Sequence, residues 1–529
     1  MHEIESLILQ LAAAALLAQL ARMLKVPYPI LLVLGGLVMG FVPGLPDIEI
    51  PPEVIFVAFL PPLLNSAAFS SSPLDLRAQL RPIVLLAVGL VLATMGAVAV
   101  IAHALIGLPW AAAFVLGAIL APTDPVAAEA IFGRLGVPER VGTLVSGESL
   151  VNDGTGLVAF RVAVAAVVSG AFSMWEAGLS FLLIGGGGML VGLALARILL
   201  PMWARLREPT VVITFSVLIP YAVYILTEEV LHVSGILAVV SYGLYQGWNS
   251  PRLFPNASMR LQTIAFWGVL VFLLEALLFV LLGQQLPSIL ADIEEYPVWV
   301  VLLYAALVYA AVVVVRFAWF FTTPYFHPVF DRLLHSRYLR APWQERLVMS
   351  WSGMRGAISL AAALAMPLST DAGDPFPGRD LIVFLTFSVI LATLVLQGLT
   401  LGPLIAALRL RGEGEADKLA ELRARLAAAR VALDKLERLG DDGRVSPESQ
   451  ESMREYYEGN IQRYTAGLEA GGTTEEYADS SAAWRDWRRE LLAAEREVVL
   501  SLRDEGKISP VVMRRIERDL DLQEARLGG

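Results

Sequence analysis

Up to Arg411 the sequence is a succession of apolar windows of roughly 17–30 residues, separated by short polar connections. A bilayer core offers backbone groups no water. Segments of this length must close their hydrogen bonds internally, and helices do so. Thirteen windows are read, at residues 4–24, 27–46, 53–70, 82–106, 109–133, 142–169, 173–200, 209–230, 232–249, 260–289, 296–322, 346–369 and 379–407. The expected fold class is an all-α polytopic membrane protein with about 13 transmembrane helices. Composition agrees, because 56% of the 529 residues are apolar and the mean hydropathy is +0.64, beyond what soluble chains of this size usually show. The complete lack of cysteine excludes disulfides and thiolate chemistry. Met1-His2-Glu3-Ile4-Glu5 is acidic, and the apolar run to Met23 is long enough to span, so a cleavable signal is not expected.

Charge divides the chain into two regions. Residues 412–529 hold 26 of the 50 carboxylates and 19 of the 40 lysines and arginines. The expected organisation is a membrane domain over 1–411 and a cytoplasmic helical tail over 412–529, with a regulatory or dimer-supporting role open to it. Leu419, Leu422, Leu426, Val431, Leu433 and Leu436 form an amphipathic stretch, followed by a break from Gly440 to Pro447 and helices near 448–468, 480–504 and 509–526. Within the membrane region the loops alternate in charge. Arg22, Lys25, Arg77, Arg81, Arg134, Arg140, Arg205, Arg207, Arg252, Arg260, Arg332, Arg337, Arg340 and Arg346 fall in the odd-to-even connections. Asp47, Glu49, Glu53, Glu228, Glu229, Asp292, Glu294, Glu295, Asp371 and Asp374 fall in the others, where Arg379 is the basic exception. Basic loops stay in the cytoplasm, which places the N-terminus outside and the tail inside. An odd count also admits two six-helix halves in inverted orientation, windows 1–6 and 8–13, a plan common to secondary transporters. The fifth and twelfth windows then correspond, and both contain helix breakers: Pro122 and Pro125 in one, Gly353 and Gly356 in the other.

Ionisable groups at membrane depth are costly and mark ion or proton pathways. In the fifth window, Ala121-Pro122-Thr123-Asp124-Pro125 interrupts the helix. Each proline lacks an N–H, so the carbonyls of Ala118 and Ala121 lose their helical partners. Those carbonyls, the Thr123 hydroxyl and the Asp124 carboxylate are hard oxygen donors suited to a small alkali cation. The competing reading is a plain proline kink. In the sixth window, Gly147-Glu148-Ser149-Leu150-Val151-Asn152-Asp153-Gly154-Thr155-Gly156 places Ser149, Asn152, Asp153 and Gly156 on one helical face. Asp153 is the expected ion and proton site. Desolvation favours a carboxylate's protonated form and a bound cation favours the ionised one. A single group therefore trades one for the other with no covalent step. The competing reading is a helix cap in a loop.

Glu148 is five residues from Asp153, about 140° around the helix, and faces other neighbours. It is read as a structural acid paired with Arg355, which lies between glycines in Gly353-Met354-Arg355-Gly356-Ala357, because buried charges persist when paired. The alternative sets Arg355 beside Asp124 or Asp153. Glu275, inside the tenth window, needs a partner and is a further candidate. Arg161, two turns beyond Asp153, is read as snorkelling, and Gly185-Gly186-Gly187-Gly188 as close helix packing. The histidines lack metal-ligand spacing, and no G-x-x-x-x-G-K-[ST] occurs, so nothing indicates ATP. Neither an enzyme nor a nucleic-acid binder is expected.

Four motifs in order carry a resemblance: Phe59-Leu60-Pro61-Pro62-Leu63-Leu64, Pro122-Thr123-Asp124-Pro125-Val126, Gly147 through Gly154, and Gly353-Met354-Arg355-Gly356-Ala357. Over roughly residues 5–410 the chain resembles the cation:proton antiporter-1 family of prokaryotic type, the NhaP and NHE-type sodium/proton exchangers. The resemblance implies a NhaA-like antiporter fold with crossing, partly unwound helices 5 and 12, a homodimer in the cell (inner) membrane, and elevator-like movement. It implies electroneutral exchange of Na⁺, or of Li⁺ or K⁺, for one proton in pH homeostasis. No cofactor is implied beyond the transported Na⁺ and H⁺, and the partners are the bilayer and a second copy. On that analogy Na⁺ is held by Asp153, Asp124, Thr123 and Ser149 with Asn152 adjacent, and Glu148–Arg355 is the structural pair. Two departures stand out. Asn65 and Ser66 occupy the place of a helix-3 carboxylate, leaving Ser66 as a neutral candidate, and Gly402 stands where animal exchangers carry an arginine. A potassium/proton antiporter on the same scaffold, a cation channel and a membrane sensor are the rival readings.

Overall fold

The structure is a computed structural model. It describes all residues except 1, 25, 43–51, 172, 204, 250–256, 292, 294–296, 335–341, 411–413, 443, 470–474 and, within 505–529, all but 507, 512–513, 516, 520–521 and 523–524. Among the described residues the regular elements are helices, apart from one isolated bridge between Ser369 and Pro375. The chain separates into two compact units, Met1–Gly412 and Glu413–Gly529.

The first unit contains α1 (His2–Leu24), α2 (Tyr28–Gly40), α3 (Pro52–Ser70), α4 (Leu80–Ile106), α5 (Trp110–Leu120), α6 (Val126–Leu135), α7 (Glu139–Ser169), α8 (Met174–Trp203) and α9 (Pro209–Val230). It continues through α10 (Gly235–Trp248), α11 (Ala257–Gln284), α12 (Val298–Leu334), α13 (Trp343–Trp351), α14 (Ala357–Leu364) and α15 (Arg379–Leu408). Short helices Pro73–Ala78 and Leu286–Ala291 lie between them. Seven helices among the described residues are long and apolar enough to cross a membrane by length and composition. The protein is a helical polytopic membrane protein.

The fifth and twelfth windows are each two short helices, α5/α6 and α13/α14, separated by an extended break. The reason is local. Pro122 and Pro125 cannot donate, and Gly353 and Gly356 hold a helix weakly. Burial ranks the long helices by position. In their most apolar stretches α15 is 72% and α7 61% buried, against 22% for α8 and 28% for both α11 and α12. Thus α7 and α15 run through the centre of this unit, and the latter three lie at its periphery.

Small residues allow the closest helix approaches. Gly36 of α2 lies on the Val280 carbonyl of α11, and Gly283 lies on the Val33 carbonyl, with no room for a Cβ at either. From the expected packing run, Gly188 of α8 abuts the Ser234 carbonyl and Gly187 the Val233 side chain, whereas Gly186 faces open space. Of the loop charges behind the orientation argument, Lys25, Asp47, Glu49, Arg252, Asp292, Glu294, Glu295, Arg337 and Arg340 lie outside the described residues.

The second unit contains α16 (Gly414–Asp441), α17 (Pro447–Glu469) and α18 (Glu475–Asp504). Leu426, Ala429 and Leu436 are buried along α16, while Val431 of the expected stripe is exposed. Leu492 of α18 packs with Ile516 and Leu520.

Candidate ion site

The two breaks meet. The Asp124 amide donates to the Met354 carbonyl at 2.8 Å, so the extended segment after α5 lies against the one after α13. Gly356 makes the approach possible, because a Cβ there would collide with the Asp124 carboxylate. Its backbone is extended, so the requirement is for space and not for a left-handed turn. Gly156 of α7 serves in the same way, since a Cβ would enter the Pro122 ring. The Arg355 amide donates to Thr393 Oγ1 of α15 at 3.0 Å. That hydroxyl lies in a π-helical turn, Thr393–Gln397, a feature frequent at functional sites.

On α7 the expected face converges on Thr123. Ser149 Oγ donates to the Thr123 carbonyl at 2.7 Å, and Asn152 Nδ2 donates to Thr123 Oγ1 at 2.9 Å. The Asn152 amide oxygen is buried without a partner. Asp124 Oδ1 accepts from the Val126 amide at 2.9 Å, capping the start of α6. Asp153 is 5% exposed. Among the described residues none donates a hydrogen bond to its carboxylate, while the charges of Asp124 and Arg355 reach it through space. The structure thus brings Thr123, Asp124, Ser149, Asn152 and Asp153 into one cluster. An unbonded carboxylate, an orphaned amide oxygen, a threonine hydroxyl and a second carboxylate form an all-oxygen donor set of the kind that fits a hard monovalent cation.

The expected pairing of Glu148 with Arg355 is corrected. Glu148 is held by Arg316 of α12 as a bidentate pair, with Nη1 on Oε1 and Nη2 on Oε2, the latter at 2.9 Å. Arg316 Nε and Nη2 also donate to the Met349 carbonyl at 3.1 and 3.0 Å, and its guanidinium lies 5.2 Å from the Phe320 ring centroid. The side chains of the pair are 3% and 2% exposed. Gly353 supplies the clearance, because a Cβ there would meet the arginine side chain. Arg355 instead donates through Nη1 to the Ala121 carbonyl and, at 2.6 Å, to the Pro122 carbonyl. The physical reason is local: Pro125 cannot donate to the Ala121 carbonyl, and the Val126 amide turns to Asp124 Oδ1 instead of the Pro122 carbonyl, so both oxygens are left for Arg355. Sequence reading missed Arg316, although the signal was present as a single arginine inside Val312-Val313-Val314-Val315-Arg316-Phe317.

Two further candidates take their own partners. Glu275 accepts the Tyr28 hydroxyl across the α2–α11 contact. Ser66 lines a separate cavity of about 310 Å³ with Asn65, Gln246, Thr263 and Trp267.

The chain is similar to known proteins over most of its length. The family described as sodium/hydrogen exchanger, transmembrane, matches residues 11–407. An uncharacterized Na⁺/H⁺ exchanger of Mycobacterium tuberculosis is 35% identical over 98% of this chain and 94% of its own. A sodium, potassium, lithium and rubidium/H⁺ antiporter of Bacillus subtilis is 37% identical over 71% of this chain and 57% of its own. Among solved structures, the sodium proton antiporter MjNhaP1 of Methanocaldococcus jannaschii at pH 8 superposes with a TM-score of 0.60. That likeness extends over 77% of this chain and 99% of that one at 23% identity, and so speaks for the fold. With the family match spanning most of the membrane unit and both of these relatives named as cation/proton exchangers, this chain belongs to the sodium/hydrogen exchanger family and is a membrane cation/proton antiporter.

Proposed function

We propose that the protein exchanges Na⁺ for H⁺ one for one, with cation and proton competing for Asp153. One observation carries this reading: Asp153 is buried and takes no hydrogen bond from the described residues, yet sits beside the crossing of two broken helices lined with oxygen donors. Asp124, Thr123 and Ser149 complete the cation's shell, and Asn152 holds the Thr123 hydroxyl while offering its own oxygen. Exchange at one carboxylate is electroneutral, because the site carries either one cation or one proton across. Glu148 and Arg316 act as frame, and Arg355 ties the break in α5 to that in α13/α14.

The thirteen-span, inverted-repeat topology with an outer N-terminus accounts for the placement of the helices and for the two matching breaks. In it, residues 1–411 form the transport domain and 412–529 a cytoplasmic tail. Movement of the site-bearing helices relative to peripheral ones, within a homodimer, then alternates access. Li⁺ and K⁺ are the rival cargoes, and the donor set of Asp153, Asp124, Thr123 and Ser149 suits the smaller ions.

The test is proton movement in reconstituted vesicles on addition of Na⁺, Li⁺ or K⁺. Na⁺ is expected to drive it without net current, and Asp153→Asn to abolish it. Persistence of cation-driven proton movement in Asp153→Asn sinks the site assignment, and current without proton coupling favours a channel.

A further inference from the structure

Arg161 lies two turns beyond Asp153 on α7, and the structure pairs it with Glu228. Glu228 sits in the π-helical turn Leu226–Val230 that ends α9. Its second oxygen, Oε2, accepts the amide of Gly235, the first residue of α10, at 2.9 Å. Beside it Ser234 Oγ accepts from the Leu237 amide at 3.2 Å, and Thr227 Oγ1 donates to the Val223 carbonyl at 2.7 Å. The carboxylate is therefore fixed on the α9–α10 side, and the arginine joins it from the helix that carries the ion site. Tyr224 and Glu229 also reach Arg161 through space. At the same end of α7 the Asp371 amide donates to the Val168 carbonyl at 3.1 Å.

The contrast with the other cross-helix pair defines its role. Glu148 and Arg316 are 2% and 3% exposed and gain further bonds from Met349, so separating them leaves buried charges uncompensated. Arg161 and Glu228 are 36% and 14% exposed. Water solvates both partners once they part, and such a pair is weak enough to break in every cycle. Between Asp153 and Arg161, the residues Leu157, Val158, Ala159 and Phe160 are buried, and Gly154 lies directly on Leu237 of α10. The pair and the Gly154–Leu237 contact together hold this half of α7 against α10.

We infer that Arg161 and Glu228 form a releasable latch that closes the outer side of the ion site, by clamping α7 to the α9–α10 corner. The inference rests on the reading of Asp153 as the alternately exposed site and adds the device that holds one of its states. Opening the outer side separates α7 from α10, which breaks this pair and leaves the Glu148–Arg316 pair intact.

Because the chain has no cysteine, engineered thiols report without background. Arg161→Cys with Glu228→Cys, joined by a short bifunctional thiosulfonate, is expected to stop Na⁺-driven proton movement, and reductant is expected to restore it. Arg161→Ala and Glu228→Gln are expected to lower the Na⁺ half-saturation concentration at the outer face alone by about two- to fivefold. Arg161→Lys should stay near wild type, and Arg161→Glu should shift furthest. Independent of transport, an impermeant maleimide applied outside is expected to alkylate Leu157→Cys faster in the Arg161→Ala background. Undiminished exchange by the cross-linked protein, equal shifts at both faces, or equal alkylation rates would each overturn the latch. A wild-type protein that moves no protons with Na⁺ overturns the exchange reading instead, and the alkylation rates still decide the latch.

Discussion

At the residue scale, two buried arginines share one region with distinct partners. Arg316 neutralises Glu148 through two guanidinium nitrogens and fills its remaining capacity on Met349, whereas Arg355 serves backbone carbonyls. Double-mutant cycles in detergent separate these roles. Glu148→Ala with Arg316→Ala is expected to show a coupling of about 1–3 kcal/mol in unfolding free energy, with each single mutant losing roughly 3–5 kcal/mol. The same cycle between Glu148 and Arg355 is expected to give a smaller coupling, since Glu148 acts on Arg355 only through space. Equal couplings in the two cycles would contradict the assignment. Arg316→Lys should not restore stability, because an ammonium lacks the planar fork that meets both carboxylate oxygens.

At the scale of elements, the crossing of α5/α6 with α13/α14 depends on a glycine where two extended segments touch. Gly356→Ala inserts a methyl group into the space of the Asp124 carboxylate. The expected result is a loss of about 1–3 kcal/mol in stability. A weakened apparent Na⁺ affinity should accompany it, because Asp124 must move from the position that caps Val126. Gly186→Ala on α8 is the control: it meets open space and is expected to leave melting temperature and affinity unchanged. A Gly356→Ala protein with wild-type affinity would show that the crossing tolerates displacement.

At the scale of the whole molecule, one carboxylate serving both cargoes imposes a pH rule. Protons occupy Asp153 more fully as pH falls, so more Na⁺ is needed to displace them. Below the carboxylate's titration range, the Na⁺ half-saturation concentration is expected to rise about tenfold per pH unit, with maximal rate unchanged. Rates in vesicles across a pH series, with pH equal on both sides, check this. A half-saturation value independent of pH would indicate separate sites for the two ions.

Much of this was legible in order of distance along the chain. Asp153, Asn152 and Ser149 share a helical face because they lie three or four residues apart, and Pro122 and Pro125 end a helix by their own chemistry. Helical angle also turns Glu148 towards Arg316, although its carboxylate still accepts the Thr123 hydroxyl at 3.5 Å. What the angle cannot supply is a partner. Arg316 lies 168 residues from Glu148 in sequence, and two buried arginines answer the same electrostatic demand equally well until the helices are packed. Likewise, nothing local announces that Tyr28 meets Glu275 or that Arg161 meets Glu228.

The sequence by itself determined the membrane class, the helical windows, the two broken segments and the face bearing Asp153. Those follow from hydrophobicity, periodicity and proline, all of which act over a few turns. Only the tertiary structure decided which arginine neutralises Glu148, what occupies the carbonyls freed by the prolines, and which ion pair stays accessible to water. Those outcomes depend on which helices meet at close range, and a buried charge takes the partner that packing brings within reach.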